Sequence, residues 1–227
     1  MSGTPHLEAP TTPVWPMYRT LVSVGLVCGL LIVSAYELTR PIIQRNKIAA
    51  RQAAVLQVLP GAHASRTFRV DEAGAVTPVP PESEGEGLVF AGFDAQRRLV
   101  GLAIEAQGMG YQDVVRVLYG YSFEQQAVIG FRVLESRDTP GLGDRVETDP
   151  AFLRNFECLD VSLGADGKAL AHPVEFVKQG QKVSPWQVDG ITGATITSRA
   201  VALMIARSAA TWIPRVAARR AEFRPEE

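Results

Sequence analysis

The chain has 227 residues, a formal net charge of −1 and two cysteines. A near-neutral charge gives no electrostatic support for nucleic-acid binding. Cys28 lies in an apolar run and Cys158 in a polar-patterned region, no Cys-x-x-Cys pair occurs and the three histidines are scattered. The sequence therefore predicts no disulfide and no zinc, iron–sulfur or other metal site, so redox chemistry would require an organic cofactor.

The N-terminal region predicts a membrane anchor. Residues 1–16 are rich in proline and threonine and are expected to form a flexible tail, whereas residues 17–38 are almost continuously apolar. About 20 apolar residues suffice to cross a bilayer as a helix. Because the Glu-Leu-Thr-Arg-Pro segment that follows is a poor cleavage site for a signal peptide, we expect an uncleaved transmembrane helix.

The charges that flank this helix predict an orientation. Arg19 is the one basic residue on the N-terminal side, whereas Arg40, Arg45, Lys47 and Arg51 follow the helix. The positive-inside rule would therefore place the body of the protein in the cytoplasm. The rule is weaker when a large folded domain follows the helix.

A second helical segment and a globular domain follow. Residues 39–60 have apolar residues at helical spacing with basic residues between them, and Pro60-Gly61 ends the pattern. We expect this segment to extend the membrane helix as a stalk, and residues 61–227 to form the folded domain. Within that domain, the composition of residues 77–87 predicts a loop.

The next segments predict two β-hairpins. The first joins residues 88–93 to residues 99–104, and the second joins residues 114–121 to residues 127–134. The hairpins share a pattern, Gly-Phe…Leu-Val-Gly in the first and Gly-Tyr…Val-Ile-Gly in the second, which indicates repeated hairpin geometry in an antiparallel sheet.

Helices are predicted on both sides of this sheet. Residues 150–158 favour a short helix, residues 173–178 a short strand, and residues 198–212 a helix with one apolar face. Together with the stalk, these helices bracket the antiparallel sheet, so the fold class is α+β.

Two further segments have the composition of a binding site. Residues 138–144, Asp-Thr-Pro-Gly-Leu-Gly-Asp, form a loop dense in turn residues, which is either a connector or a surface held close to a flat ligand. Residues 189–198 place four hydroxyl residues and two glycines at the start of a helix. A helix N-terminus suits a phosphate. The alternative is that Thr197 or Ser198 is an ordinary N-cap residue and that the glycines form a turn.

These two segments resemble motifs of one family. Residues 192–198, Thr-Gly-Ala-Thr-Ile-Thr-Ser, resemble the S/T-G-A-T-x-S/T sequence at which FMN is covalently attached, and Asp189 matches the acidic residue common before it. Residues 139–144 resemble the T-P-G-L-G loop of the same FMN-binding domain. With the N-terminal span, the chain resembles the G subunit of Rnf-type ion-translocating electron-transport complexes, a relative of the C subunit of sodium-translocating NADH:quinone reductase.

The resemblance implies a site and a modification. The FMN phosphate would be esterified to Thr195 by a flavin transferase that takes FMN from FAD with magnesium. Thr192 and Thr197 would bond the phosphate or ribityl chain. Asp189 would orient the loop, position the acceptor hydroxyl or simply cap a turn. The implied FMN-binding residues are Asp189, Thr192, Gly193, Ala194, Thr195, Ile196 and Thr197 at the helix, and Thr139, Pro140, Gly141, Leu142 and Gly143 in the loop against the isoalloxazine ring.

The resemblance also implies a function. The protein would be a single-pass subunit of the bacterial cytoplasmic membrane, with the flavin domain outside the cytoplasm, in conflict with the charge count. It would relay electrons to and from other membrane subunits and catalyse no complete reaction alone. The alternatives are a covalent-FMN subunit of a sodium-translocating NADH:quinone reductase or of another extracytoplasmic electron chain, and an anchored binding or scaffold domain without redox function.

Overall fold

The computed structural model describes residues 14–71, 73–138 and 143–225. The chain divides into two compact units, Met1–Lys47 and Ile48–Glu227. The predicted N-terminal tail lies outside the described residues up to residue 13, and the structure is helical from Val14 onward.

The first helix, α1 (Val14–Val58), is continuous over 45 residues and has Pro41 inside it. It contains the predicted membrane span and, up to Val58, the predicted stalk. Its most apolar 18-residue window has a mean hydropathy of 2.1 and is 0% buried within the protein. By length and composition α1 can therefore cross a membrane.

A seven-stranded antiparallel sheet forms the second unit, with the strand order β2-β1-β3-β4-β5-β6-β7. Its strands are β1 (Ala64–Val70), β2 (Val76–Pro78), β3 (Leu88–Phe93), β4 (Leu99–Met109), β5 (Val114–Ser122), β6 (Ala127–Ser136) and β7 (Leu159–Asp160). Both predicted hairpins are confirmed, as β3–β4 and β5–β6. Strands β1, β2 and β7 were not predicted, because β1 mixes polar and apolar residues and the other two are very short.

The remaining elements lie around the sheet. They are α2 (Arg145–Thr148), α3 (Pro150–Leu153) with a 3-10 turn at Arg154–Phe156, a parallel strand pair β8 (Glu175–Val177) and β9 (Gln187–Asp189), α4 (Thr195–Ala218) and a 3-10 turn at Arg220–Glu222. The predicted last helix therefore begins three residues earlier than expected and continues beyond Pro214.

Both faces of the sheet are covered. One face packs against α3 and α4, in a core that includes Phe152, Val201 and Ile205. The other face packs against the C-terminal end of α1, in a smaller cluster around Val55 and Leu59. Because helices cover both faces, all six residues of β3 are buried. The predicted α+β arrangement, with an antiparallel sheet bracketed by helices, is confirmed.

Glycines explain how α1 docks on the sheet. Gly120 and Gly130 are directly paired between β5 and β6, and a Cβ atom on either would overlap the carbonyl group of Val58. Gly92 and Gly101 are likewise paired between β3 and β4, and a Cβ on either would crowd the Leu59 side chain. The pattern shared by the two hairpins therefore clears a surface for the end of α1.

Candidate functional site

Thr195 is the first residue of α4, a helix of 24 residues. The preceding cap residue is Ala194, which makes no side-chain hydrogen bond to the helix. The interpretation that Thr197 or Ser198 is the N-cap is therefore wrong, since both lie inside the helix. Alanine is a poor N-cap residue, and the first amides of a helix have no intrahelical acceptor. This end of α4 thus offers N–H groups and a partial positive charge to an anion.

The four hydroxyl residues of the predicted motif face different environments. Thr192 and Thr195 are exposed, whereas Thr197 is 1% exposed and Ser198 is fully buried. The Thr197 hydroxyl donates to Asp138 Oδ2 at 2.7 Å. Thr197 therefore supports the fold, and its hydroxyl does not face solvent.

Ser198 and Thr195 bond the turn that precedes α4. The Ser198 hydroxyl donates to the Ala194 carbonyl at 2.9 Å and accepts from the Ile191 amide at 3.2 Å. The Thr195 hydroxyl donates to the Ile191 carbonyl at 3.2 Å. Since Thr195 is exposed, this single bond leaves its oxygen accessible to a second molecule.

The Ile191–Ala194 turn is fixed by bonds from distant segments. The Ala194 amide donates to the Ile191 carbonyl at 3.1 Å, and Gly193 has a φ of +86°, a backbone conformation that favours glycine. The Thr192 amide donates to Gln179 Oε1 at 2.8 Å. Arg145 Nη1 donates to the Thr192 carbonyl at 2.7 Å.

Arg145 is a site residue that the sequence analysis missed. Its side chain also forms an ion pair with Asp149 at 3.3 Å and is 40% exposed. It begins α2, directly after the predicted turn-rich loop. The sequence feature that could have indicated Arg145 is its position, as a basic residue directly after that loop. Its guanidinium brings positive charge to the turn that precedes Thr195.

A cleft of about 300 Å³ opens beside Thr195. Phe176, Lys178 and Gln179 line one side of it, and residues 190–192 line the other. A Cβ atom on Gly190 would lie 2.6 Å from Phe176 Cζ, so a glycine is needed there. A larger cleft of about 690 Å³, lined in part by Arg51 and Arg66, contains no predicted site residue.

Asp189 faces a turn and not the cleft. Its carboxylate accepts from the Gly180 amide at 2.8 Å and from the Gln181 amide at 3.3 Å. Of the three roles considered for Asp189, these bonds correspond to capping a turn. They hold the residue 178–181 segment, which carries three of the residues that line the cleft.

Asn155 was also missed. It is 4% exposed, and its amide side chain bonds both the N–H and the carbonyl of Asp189, each at 3.0 Å. Its Oδ1 also accepts from Lys182 Nζ at 3.2 Å. Burial lowers the pKa of Lys182, and the Asp189 charge acts in the opposite direction. Asn155 thereby fixes β9, the strand that leads into the site.

The turn-rich loop is described only in part. Thr139, Pro140, Gly141 and Leu142 lie outside the described residues. Gly143 packs against the side chain of Asp138, so closely that no Cβ atom would fit. The structure therefore places one end of this loop beside the first turn of α4, through Asp138 and its bond to Thr197.

Comparison with known proteins gives a family. The model of the FMN-binding domain matches residues 110–210, a range that includes both predicted motifs. The G subunit of an ion-translocating oxidoreductase complex from Pasteurella multocida is 30% identical over 207 residues, which cover 88% of this chain and 94% of that protein. The chain belongs to this family of G subunits. The corresponding protein of Methanosarcina acetivorans is 28% identical over 80% of this chain and 85% of that protein.

Solved structures support the same fold for this member of the G-subunit family. NqrC of Shewanella oneidensis superposes with a TM-score of 0.55 at 21% identity, covering 74% of this chain and 93% of that chain. The C subunit of the Na⁺-translocating NADH-quinone reductase from Parabacteroides distasonis gives a TM-score of 0.60 at 19% identity, with coverages of 76% and 94%.

Proposed function

We propose that the protein is a membrane-anchored subunit of an ion-translocating electron-transport complex. It would carry electrons on an FMN attached through a phosphoester to Thr195. Family membership and the FMN-binding domain support the complex and the cofactor. The covalent bond rests on the resemblance of residues 192–198 to the FMN-attachment motif. The position of Thr195, an exposed hydroxyl residue on the first turn of α4, is compatible with it.

The residues around Thr195 suit a flavin phosphate. The N-terminal amides of α4 would donate to the phosphate oxygens, and Arg145 and Lys178 would supply positive charge nearby. Phe176 offers an apolar surface in the same cleft. Bound FMN supplies reversible electron uptake and release, and the protein's part is to hold it and tune its surroundings.

Exposure favours Thr195 over the other hydroxyl residues as the acceptor. In the attachment reaction the Thr195 oxygen would form a bond to the FMN phosphorus of FAD, while the pyrophosphate P–O bond breaks and AMP leaves. The hydroxyl proton would pass to a base of the flavin transferase. Thr197 and Ser198 are buried and hydrogen-bonded, so neither can enter the active site of a second enzyme. Thr192 is exposed but lies before the helix.

The membrane arrangement is part of the same proposal. Residues 17–38 of α1 would anchor the chain in the bacterial cytoplasmic membrane, since α1 is long and apolar enough to span it. The flavin domain would lie on the extracytoplasmic side, where the basic residues after the span would meet lipid headgroups or partner subunits. Its partners would be other membrane subunits of the complex and, during maturation, the flavin transferase.

Replacement of single hydroxyl groups tests the attachment site. We expect Thr195→Val to abolish flavin fluorescence of the denatured protein in a gel, and Thr195→Ser to retain it, because serine keeps the hydroxyl group. Thr192→Val is the matched control, since it removes the other exposed hydroxyl and should keep the flavin. Peptide mass spectrometry should locate one FMN on residue 195.

Two results would contradict this assignment. One is flavin retained by Thr195→Val, and the other is FMN mapped to a different residue of the unchanged protein. A chain that carries no flavin after co-expression with the transferase would favour the anchored binding or scaffold domain instead.

A further inference from the structure

Asp138 connects segments that are far apart in the sequence. Its carboxylate, 7% exposed, accepts from the Thr197 hydroxyl at 2.7 Å and from the Tyr111 amide at 2.9 Å through Oδ2. Through Oδ1 it accepts from the Gln112 amide at 3.0 Å. The first turn of α4 and the β4–β5 turn are thus bonded to one carboxylate.

Two glycines show how closely the chain packs around this carboxylate. A Cβ atom on Gly110 would lie 2.7 Å from Asp138 Oδ2, and one on Gly143 would overlap the Asp138 side chain. Any larger residue at either position would displace the carboxylate. The β4–β5 turn, the segment at Gly143 and α4 therefore converge on Asp138.

The bond to Thr197 sets the direction in which Thr195 points. Successive residues of an α-helix are about 100° apart around the axis. Thr195 and Thr197 are two positions apart, so their side chains lie about 200° apart around α4. When Asp138 holds Thr197 toward the interior, Thr195 must face outward. The exposures agree, since Thr197 is 1% exposed and Thr195 is exposed.

We propose that Asp138 is a positioning residue for flavin attachment, which orients the first turn of α4 through Thr197 and so presents the Thr195 hydroxyl to the transferase. This proposal rests on the proposed attachment of FMN to Thr195. It assigns no contact between Asp138 and the flavin.

The proposal is tested by the rate at which purified flavin transferase, with FAD and magnesium, attaches FMN to the whole flavin-free chain in detergent. Asp138→Asn keeps the shape of the side chain but replaces one acceptor oxygen by a donor group, and Thr197→Val removes the hydroxyl. A hydrogen bond to a charged group is strong enough that we expect each variant to react about tenfold more slowly. Because both changes act on the same bond between Asp138 and Thr197, the double variant should be no slower than the slower single variant. Thr197→Ser should react at nearly the normal rate.

A matched control separates orientation from stability. Tyr119 and Ser208 form a partly buried hydrogen bond of 2.9 Å further along α4, so Tyr119→Phe weakens the same helix away from Thr195. Its attachment rate should equal that of the unchanged protein, even if its melting temperature falls as far as that of Thr197→Val.

Hydrogen exchange supplies a readout without flavin. Asp138→Asn leaves one acceptor oxygen for three donors, so it should speed exchange of at least one of the Tyr111 and Gln112 amides. Thr197→Val should affect these amides little, because Asp138 still accepts from both. Normal attachment rates in Asp138→Asn and Thr197→Val would overturn the proposal, and so would equal slowing in Tyr119→Phe. Absence of flavin on the unchanged protein would instead contradict the attachment site itself.

Discussion

Replacing Gly120 by alanine should displace the end of α1 from the sheet. The added Cβ would overlap the Val58 carbonyl oxygen and lie 2.8 Å from its carbon and 3.0 Å from Leu59 Cδ2. Two of these three atoms belong to the backbone and cannot rotate away. Overpacking of this kind costs about 1–3 kcal/mol, and alanine recovers about 0.5–1 kcal/mol of the conformational entropy that glycine loses on folding. Because the overlap is with rigid backbone, the cost lies in the upper part of that range, and we expect a net loss of about 1–2 kcal/mol.

Thermal unfolding of the full chain in detergent measures this loss. For a unit of this size, about 2–4 °C is lost per kcal/mol, so Gly120→Ala should lower the melting temperature by roughly 2–8 °C. Gly130→Ala meets the same Val58 carbonyl, so the double variant should lose less than the sum of the two single losses. Gly164→Ala is the control, because its Cβ would have nearest contacts at 3.6 Å. Equal melting temperatures for Gly120→Ala and Gly164→Ala would show that the end of α1 does not need a glycine at position 120 to pack on the sheet.

Two further predictions concern the site and the membrane. Arg145→Ala removes a 2.7 Å bond to the Thr192 carbonyl and should slow flavin attachment by about three- to tenfold. Arg137→Ala, at a side chain that is 72% exposed, should leave the rate unchanged. Equal rates for the two variants in a transferase assay would contradict a role of Arg145 in the site. Protease added to intact spheroplasts should digest the domain after α1, and a protected domain would place it in the cytoplasm, as the positive charges after the span predict.

The strands that could be predicted are those whose own sequence favours a strand. The strands of both hairpins have apolar runs and polar turns, so β3 to β6 could be placed to within a few residues, apart from the C-terminal extension of β4 to Met109. The start of α4 was misplaced because propensity favours Thr197 or Ser198 as a cap over Ala194. In the structure Ala194 is the cap residue, and Thr197 and Ser198 lie within α4. The Thr197 hydroxyl bonds Asp138, and the Ser198 hydroxyl bonds the turn before the helix.

The contacts that build the site could not be predicted, because they join distant segments. Arg145 meets Thr192 from 47 positions away, and Asp138 meets Thr197 from 59 positions away. Local pattern shows which residue types occur, but only the folded sheet brings these pairs together. Asp189 illustrates the limit, since its motif position suggested a role at the acceptor hydroxyl and its carboxylate caps a neighbouring turn.

The geometry around Thr195 gives a physical reason for the proposed covalent bond to FMN. Pockets that retain a small molecule by contacts alone enclose roughly 300–1,000 Å³ and bury most of its surface. The cleft beside Thr195 is at the lower limit, about 300 Å³, and Thr195 itself is exposed. A deeper pocket would hold a flavin more tightly but would keep it further from a redox partner. The proposed ester to Thr195 would remove this conflict, because retention would then depend on one bond and the ring could remain accessible for electron transfer.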